Sequence, residues 1–154
     1  ISAEQFSDYV QAQLPDAGTS QQQLLMNLSN QMPLQALEVA QSAWLPLRQE
    51  FLQDWQKLVM QKNMPLAIAT KWNKSLSFGE FAPMFEYLLS DLICVKLNQT
   101  VKNIDLEFNV LAEQYSLAAL FKIYEDFQRS KQYLEQNVQS NLVIDELFIK
   151  LMNL

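Results

Sequence analysis

The chain has 154 residues, 49% of them apolar, with a mean hydropathy of −0.09, enough for one good core and too apolar for a disordered segment. No apolar run approaches the roughly 20 residues that span a bilayer. The net charge is −6 and no basic residue precedes Arg48, which argues against direct, strong binding to duplex DNA, where a positive field must displace counterions.

The chain starts at Ile1, and helical signals begin at once with Ser2, so it reads as a fragment with a missing N-terminal part. Ser2 and Gln5 have capping-box spacing, and Phe6, Tyr9, Val10 and Leu14 follow as an apolar stripe. Pro15 to Gly18 forms a turn. Ser20 is expected to cap a second helix carrying Leu24, Leu25 and Leu28. Pro33 suits the first position of a third, in which Leu34, Leu37 and Val39 or Ala40 face neighbours. Three short helices make a small independent core, as a lid packed on something else would.

A longer helical pattern runs from about Pro46 to Lys62, with Phe51, Leu52, Trp55, Leu58 and Val59. Asn63-Met64-Pro65 breaks it, and a helix with Leu66, Ile68, Ala69 and Trp72 follows. Trp55 and Trp72 read as core. Ser77 opens the next helix, where Pro83 is tolerable only near the first turn. From Met84 to Leu97 apolar residues appear on almost every side, the mark of a central buried helix. Residues 101 to 105 read as a connection, and Leu106, Phe108, Leu111 and Ala112 as a shorter helix. Ser116 can cap a long helix with Leu117, Leu120, Phe121, Tyr124, Phe127 and Leu134. In the last segment Asn141 is placed as cap, Asp145 and Glu146 sit early, and Ile144, Leu147, Phe148 and Leu151 share one face. No alternating strand pattern of useful length occurs, so the expected fold class is all-α.

What is missing narrows the chemistry. There is no histidine, hence no Ser-His-Asp triad and no His general base. With one cysteine and no histidine the usual structural zinc sites are excluded, and no metal or cofactor is expected. Gly18 and Gly79 are the only glycines, so there is neither a P-loop nor a dinucleotide fingerprint. Cys94 reads as a buried small hydrophobe, and its solitude fits the cytoplasm. Glu125-Asp126 and Asp145-Glu146 diverge on a helix. Glu50 and Asp54 share a face but read as solvated surface. No catalytic residue is assigned.

The terminal wording, Asn137, then Asn141-Leu142-Val143-Ile144-Asp145-Glu146-Leu147-Phe148 and Leu151, resembles the end of bacterial clamp-loader subunits. Within that family it looks most like the delta-prime subunits of DNA polymerase III. Phe85-x-x-Leu88-Leu89-x-Asp91-Leu92 supports the resemblance more weakly. The resemblance implies a three-helix ATPase-type lid (domain II, in whole or part) over 1–42. A five- to six-helix collar (domain III) for oligomerisation follows over 44–154. Motor subunits of the family carry a nucleotide-sensing arginine in a Gly-Ser-x-Arg motif. Leu34 stands at that position here, and an apolar side chain cannot pair with a phosphate.

The implied role is non-catalytic assembly, with the gamma/tau and delta subunits and, through the assembled complex, the sliding clamp as partners. DNA is met only indirectly and no membrane is involved. Arg129, Tyr133, Asn137, Asn141, Asp145 and Lys150 are the candidate contact residues. Two other classes compete. A helical adaptor domain binding a protein or peptide would show repeats of about 34 to 47 residues, and none is found. A small all-α enzyme is disfavoured by the missing histidine.

Overall fold

Ser2 and Gln5 form the capping box that their spacing predicts. The Ser2 hydroxyl accepts from the Gln5 amide at 3.1 Å, and the Gln5 side chain accepts from the Ser2 amide at 2.9 Å. In the computed structural model, which describes residues 2–135 and 139–153, this box starts α1 (Ala3–Gln13). Next come α2 (Thr19–Leu28), α3 (Pro33–Ala40), a 3₁₀ turn (Leu45–Leu47), α4 (Arg48–Met60), α5 (Pro65–Ser75) and α6 (Phe78–Lys96). Then α7 (Asn109–Ala112), α8 (Leu117–Glu135) and α9 (Ser140–Asn153) complete the chain. Among the described residues there is no strand, so the fold is all-α.

Several local expectations hold. Pro33 opens α3 as expected, and Pro65, read as part of a helix break, also takes the first position of α5, where a missing amide costs nothing. Ser77 and Glu80 form a second capping box at α6. With so few glycines, helix ends are closed by other residues in the left-handed region: Asn30 and Gln31 after α2, Lys62 after α4, Asn98 after α6. After α6 the Gln99 amide reaches back to the Cys94 carbonyl at 2.8 Å, satisfying a last-turn acceptor.

Other expectations need correction. Ser20 does not cap α2; it lies within the helix, which starts at Thr19 with Gly18 as the flanking residue. Residues 45–47 form a tight turn, so α4 starts later than Pro46. Leu106 and Phe108 precede the single turn of α7 rather than belonging to it. Leu34 does not face a neighbour: it is 71% exposed, and Ala36 and Val39 fill the buried face of α3 instead. Pro83 lies beyond the first turn of α6. The amide it lacks would have bonded to the carbonyl of Gly79, a residue with part of its surface open, so that acceptor has solvent within reach. Cys94 is half-buried rather than buried, and partial burial pushes its thiol pKa up, with Asp91 adding to the rise.

The core is aromatic. Phe51 on α4 meets Trp72, Phe81, Phe85 and Phe148 edge-on at centroid distances of 5.2 to 6.3 Å. Trp55 stacks on Phe85 at 5.3 Å. Trp55 and Trp72 are both buried, as their placement in the core requires. Each such side chain contributes about 1.5–3 kcal/mol on removal from water. α5 packs most extensively on α9, α6 packs on α8, and α4 also touches α9. Helices α1 to α3 pack chiefly on one another. Their buried side chains join those of α4 to α9 in one apolar cluster, and Tyr87 on α6 donates to the Leu28 carbonyl at 2.6 Å. Trp44 stacks on the Tyr87 ring at 5.6 Å.

Candidate interaction surface

The residues expected to form contacts fall on α8 and α9. The buried side of this pair comprises Leu120, Ile123 and Phe127 on α8, and Ile144, Leu147, Phe148 and Leu151 on α9. Burial of these residues orients the remaining faces outward. Lys122, Asp126 and Arg129 are spaced four and three residues apart, so they make one stripe along α8. Asp126 is drawn in toward α9. Its carboxylate lies 3.6 Å from the Lys122 ammonium, 3.6 Å from the Arg129 guanidinium and 3.9 Å from the Lys150 ammonium. These are loose ion pairs, longer than good hydrogen bonds. With Ile149 and Asn153 the four residues line an open groove of about 420 Å³.

Of the expected contact residues, the structure therefore brings Arg129 and Lys150 together. Tyr133, about half exposed, continues the Arg129 stripe one turn further along α8. Asn141 is exposed at the start of α9 and Asp145 is half-buried, and neither lines the groove. Asn137 lies outside the described residues. Asn141 is the second residue of α9 and not its cap, because the helix starts at Ser140. Asp145 and Glu146 consequently lie past the first turn, which carries no acidic residue.

Two charged members of this surface are absent from the sequence-derived set. Lys122 is one, although its spacing to Asp126 and Arg129 is a visible signal. Asp126 is the other. In sequence it is half of a divergent pair with Glu125, and its meeting with Lys150 depends on how α9 docks.

Away from this groove, buried charge serves structure. Asp91, fully buried on α6, accepts from the Lys102 amide at 2.9 Å, the Asn103 amide at 2.8 Å and the Asn103 side chain at 2.7 Å. The Asn103 side-chain Oδ1 in turn accepts from Arg48 at 2.6 Å. Arg48 also donates to the Leu45 carbonyl at 2.8 Å and grips Asp105 with two nitrogens, at 3.0 and 2.8 Å. Burial pushes the Asp105 carboxyl up, and the hydrogen bonds and charge of Arg48 outweigh it, leaving the pKa below its ordinary value. This network ties the 98–108 connection to α4 and α6. Asp54 corrects another expectation. It is buried, and accepts from the Trp72 indole at 3.0 Å and from Lys71 at 2.7 Å, while Glu50 stays at the surface as a second partner of Lys71. Hydrogen bonds to Asp54 and then Glu50 raise the Lys71 pKa. Among the described residues no buried side-chain polar atom lacks a partner, and no group of three potential metal-ligating side chains assembles.

None of the helices in the described residues is long and apolar enough to cross a membrane. No individual curated protein and no solved structure gives a significant match to the chain. A profile of the C-terminal part of the DNA polymerase III delta subunit matches residues 42–152, from just before the 3₁₀ turn to the end of α9. That family is a non-catalytic helical domain of the clamp loader. The chain belongs to the family formed by the C-terminal domains of DNA polymerase III delta subunits.

Proposed function

We propose that the chain is the lid-plus-collar part of a delta-prime subunit. In this reading residues 44–154 pack beside gamma/tau and delta subunits to hold together the assembly that loads the sliding clamp during DNA replication. Residues 1–42 are the ATPase-type lid, carried as a passive element. The observation that carries the reading is the family match over 42–152, whose start coincides with the boundary between the three short helices and the larger bundle. The terminal Asn141-to-Leu151 wording supports delta-prime in particular. So does Leu34 at the nucleotide-sensing position, an exposed apolar side chain that offers a phosphate nothing. A subunit of this kind works by geometry: its helices bury surface against neighbours and fix where the neighbours sit. Contact with DNA is indirect, through the assembled complex, and the setting is the cytoplasm.

The test is size-exclusion chromatography of the chain with purified gamma/tau and delta subunits. Co-elution is expected. Separate elution, under conditions where full-length delta-prime assembles, would end the proposal.

A further inference from the structure

Another concavity sits where the three short helices meet the larger bundle. Leu24 of α2, Ala40 at the end of α3, and Leu45 and Pro46 of the 3₁₀ turn make its apolar wall, and it encloses about 570 Å³. That volume lies in the roughly 300–1,000 Å³ range of ligand pockets, which favour junctions between packed units. Asp105 lines this hollow and also a neighbouring one of about 270 Å³, whose wall includes Gln49 and Gln53 of α4 and Glu107. The charge exposed on this lining has one sign. Asp105 and Glu107 are exposed carboxylates. The one cation of the lining is Arg48, which is buried and spends its donors on Leu45, Asn103 and Asp105. One oxygen of Glu107 accepts from the Asn109 amide at 2.7 Å, and the other has no partner among the described residues. Charges on the flanks leave the balance unchanged. Glu38, Glu50 and Asp54 are offset by Lys57, Lys71 and Lys102. Lys71 is taken up by Glu50 and Asp54, and Lys102 turns its ammonium to the Asn30 side chain.

We infer that this double hollow receives a segment of a sister subunit that carries an Arg or Lys side chain beside an apolar one. The inference rests on the proposed clamp-loader role and names a surface and a partner chemistry for it. Charge complementarity selects the occupant. The apolar side chain meets the wall of Leu24, Ala40, Leu45 and Pro46, where the methylene stem of the cationic residue also finds cover. The cationic head goes to Asp105 and to the open oxygen of Glu107. An acidic segment or a phosphate backbone would meet two carboxylates and no exposed cation of the lining. Helices α2 and α3 supply part of the lining and α4 another part, so the occupant bears on the short helices and the bundle at once.

The experiment adds charge at exposed glutamines of the lining and leaves the buried network alone. Gln21→Lys with Gln53→Lys gives the hollow cations of its own, and Gln21→Glu with Gln53→Glu deepens its negative field. Binding of each chain to purified gamma/tau and delta subunits is measured at low and high salt. The lysine pair should raise the dissociation constant about tenfold or more, and the glutamate pair should leave it unchanged or lower it. The affinity of the unaltered chain should fall as salt rises. A photo-reactive amino acid placed at Gln49, which is exposed on the same lining, should capture a sister subunit with no change of charge. If the unaltered chain assembles, yet both pairs bind as it does and position 49 captures nothing, the groove assignment falls while the assembly role stands. Equal losses with both pairs would also overturn it, because a cationic occupant must tell them apart. If the unaltered chain binds no sister subunit, both fall together. Self-association of the unaltered chain that the lysine pair abolishes would overturn the assignment in favour of a second copy.

Discussion

The indole nitrogen of Trp55 donates a 3.0 Å hydrogen bond to the hydroxyl of Tyr115, a residue 60 positions later. That hydroxyl donates onward to the carbonyl of Leu151 near the end of α9. One phenol thus joins α4, the α7–α8 junction and α9 inside the buried core. Tyr115→Phe keeps the ring but strands the indole donor and the carbonyl acceptor. A loss of about 1–3 kcal/mol is expected, seen as a lower urea midpoint. In a chain of this size each kcal/mol lowers the melting temperature by about 2–4 °C.

The same residue makes a pH prediction. Burial pushes the Tyr115 pKa up to about 12, against a small opposing effect of the Trp55 hydrogen bond. The folded pKa is raised above the unfolded value of about 10, so the folded state holds the proton longer. The stabilisation is complete below pH about 10 and is lost as pH rises toward 12. Unfolding followed across that window should show a falling stability, with a shallower fall in Tyr115→Phe. Lys71, whose pKa is also raised, contributes in the same direction, so the slope should not vanish.

Arg48→Met should be costly despite its apolar replacement. Arg48 is buried and supplies donors to the Leu45 carbonyl, Asn103 and Asp105. Removing it leaves the buried Asn103 oxygen without that donor, and about 2–4 kcal/mol is expected from the cost of breaking a buried, hydrogen-bonded charge. Asp105 is partly exposed, so the loss should come mainly through Asn103. The folded pKa of Asp105 is depressed. Its contribution is therefore present above its unfolded pKa and is lost as pH falls through the folded one. Acid unfolding below pH about 4 should be less steep in Arg48→Met than in the original chain.

Tyr87→Phe tests how α1 to α3 are held. Only the hydroxyl that donates to the Leu28 carbonyl is removed; the ring stacked on Trp44 remains. A global cost of about 0.5–1.5 kcal/mol is expected. The sharper readout is limited proteolysis. Cleavage should quicken between α3 and the 3₁₀ turn, while α4 to α9 survives as a resistant piece. Uniform degradation of the whole chain would contradict a separable lid.

Leu34→Arg tests the proposed passive lid by placing an arginine where that reading puts the nucleotide-sensing residue. The residue is exposed, so stability should change by less than about 0.5 kcal/mol. Calorimetry with ATP should still show no specific binding, because the sequence has no glycine-rich loop to hold phosphates. Measurable binding would overturn the passive-lid reading.

Features that depend on neighbours three or four residues apart are legible in the sequence. The boxes at Ser2/Gln5 and Ser77/Glu80, the proline that opens α3, and the shared face of Ile144, Leu147, Phe148 and Leu151 are all local geometry. The all-α class follows from those periods. Ser20 and Asn141 have the chemistry of caps and yet lie inside their helices, because competing local starts differ little in energy. Docking between distant segments settles the rest. Asp54, a surface residue by its neighbours in sequence, is the buried partner of Trp72. Asn103, held by Asp91, meets Arg48 across 55 residues, and Lys150 reaches Asp126 from another helix. Helical periodicity fixes which side of a helix is apolar, but a polar residue at the edge of that side is buried or solvated according to which helix comes to rest against it.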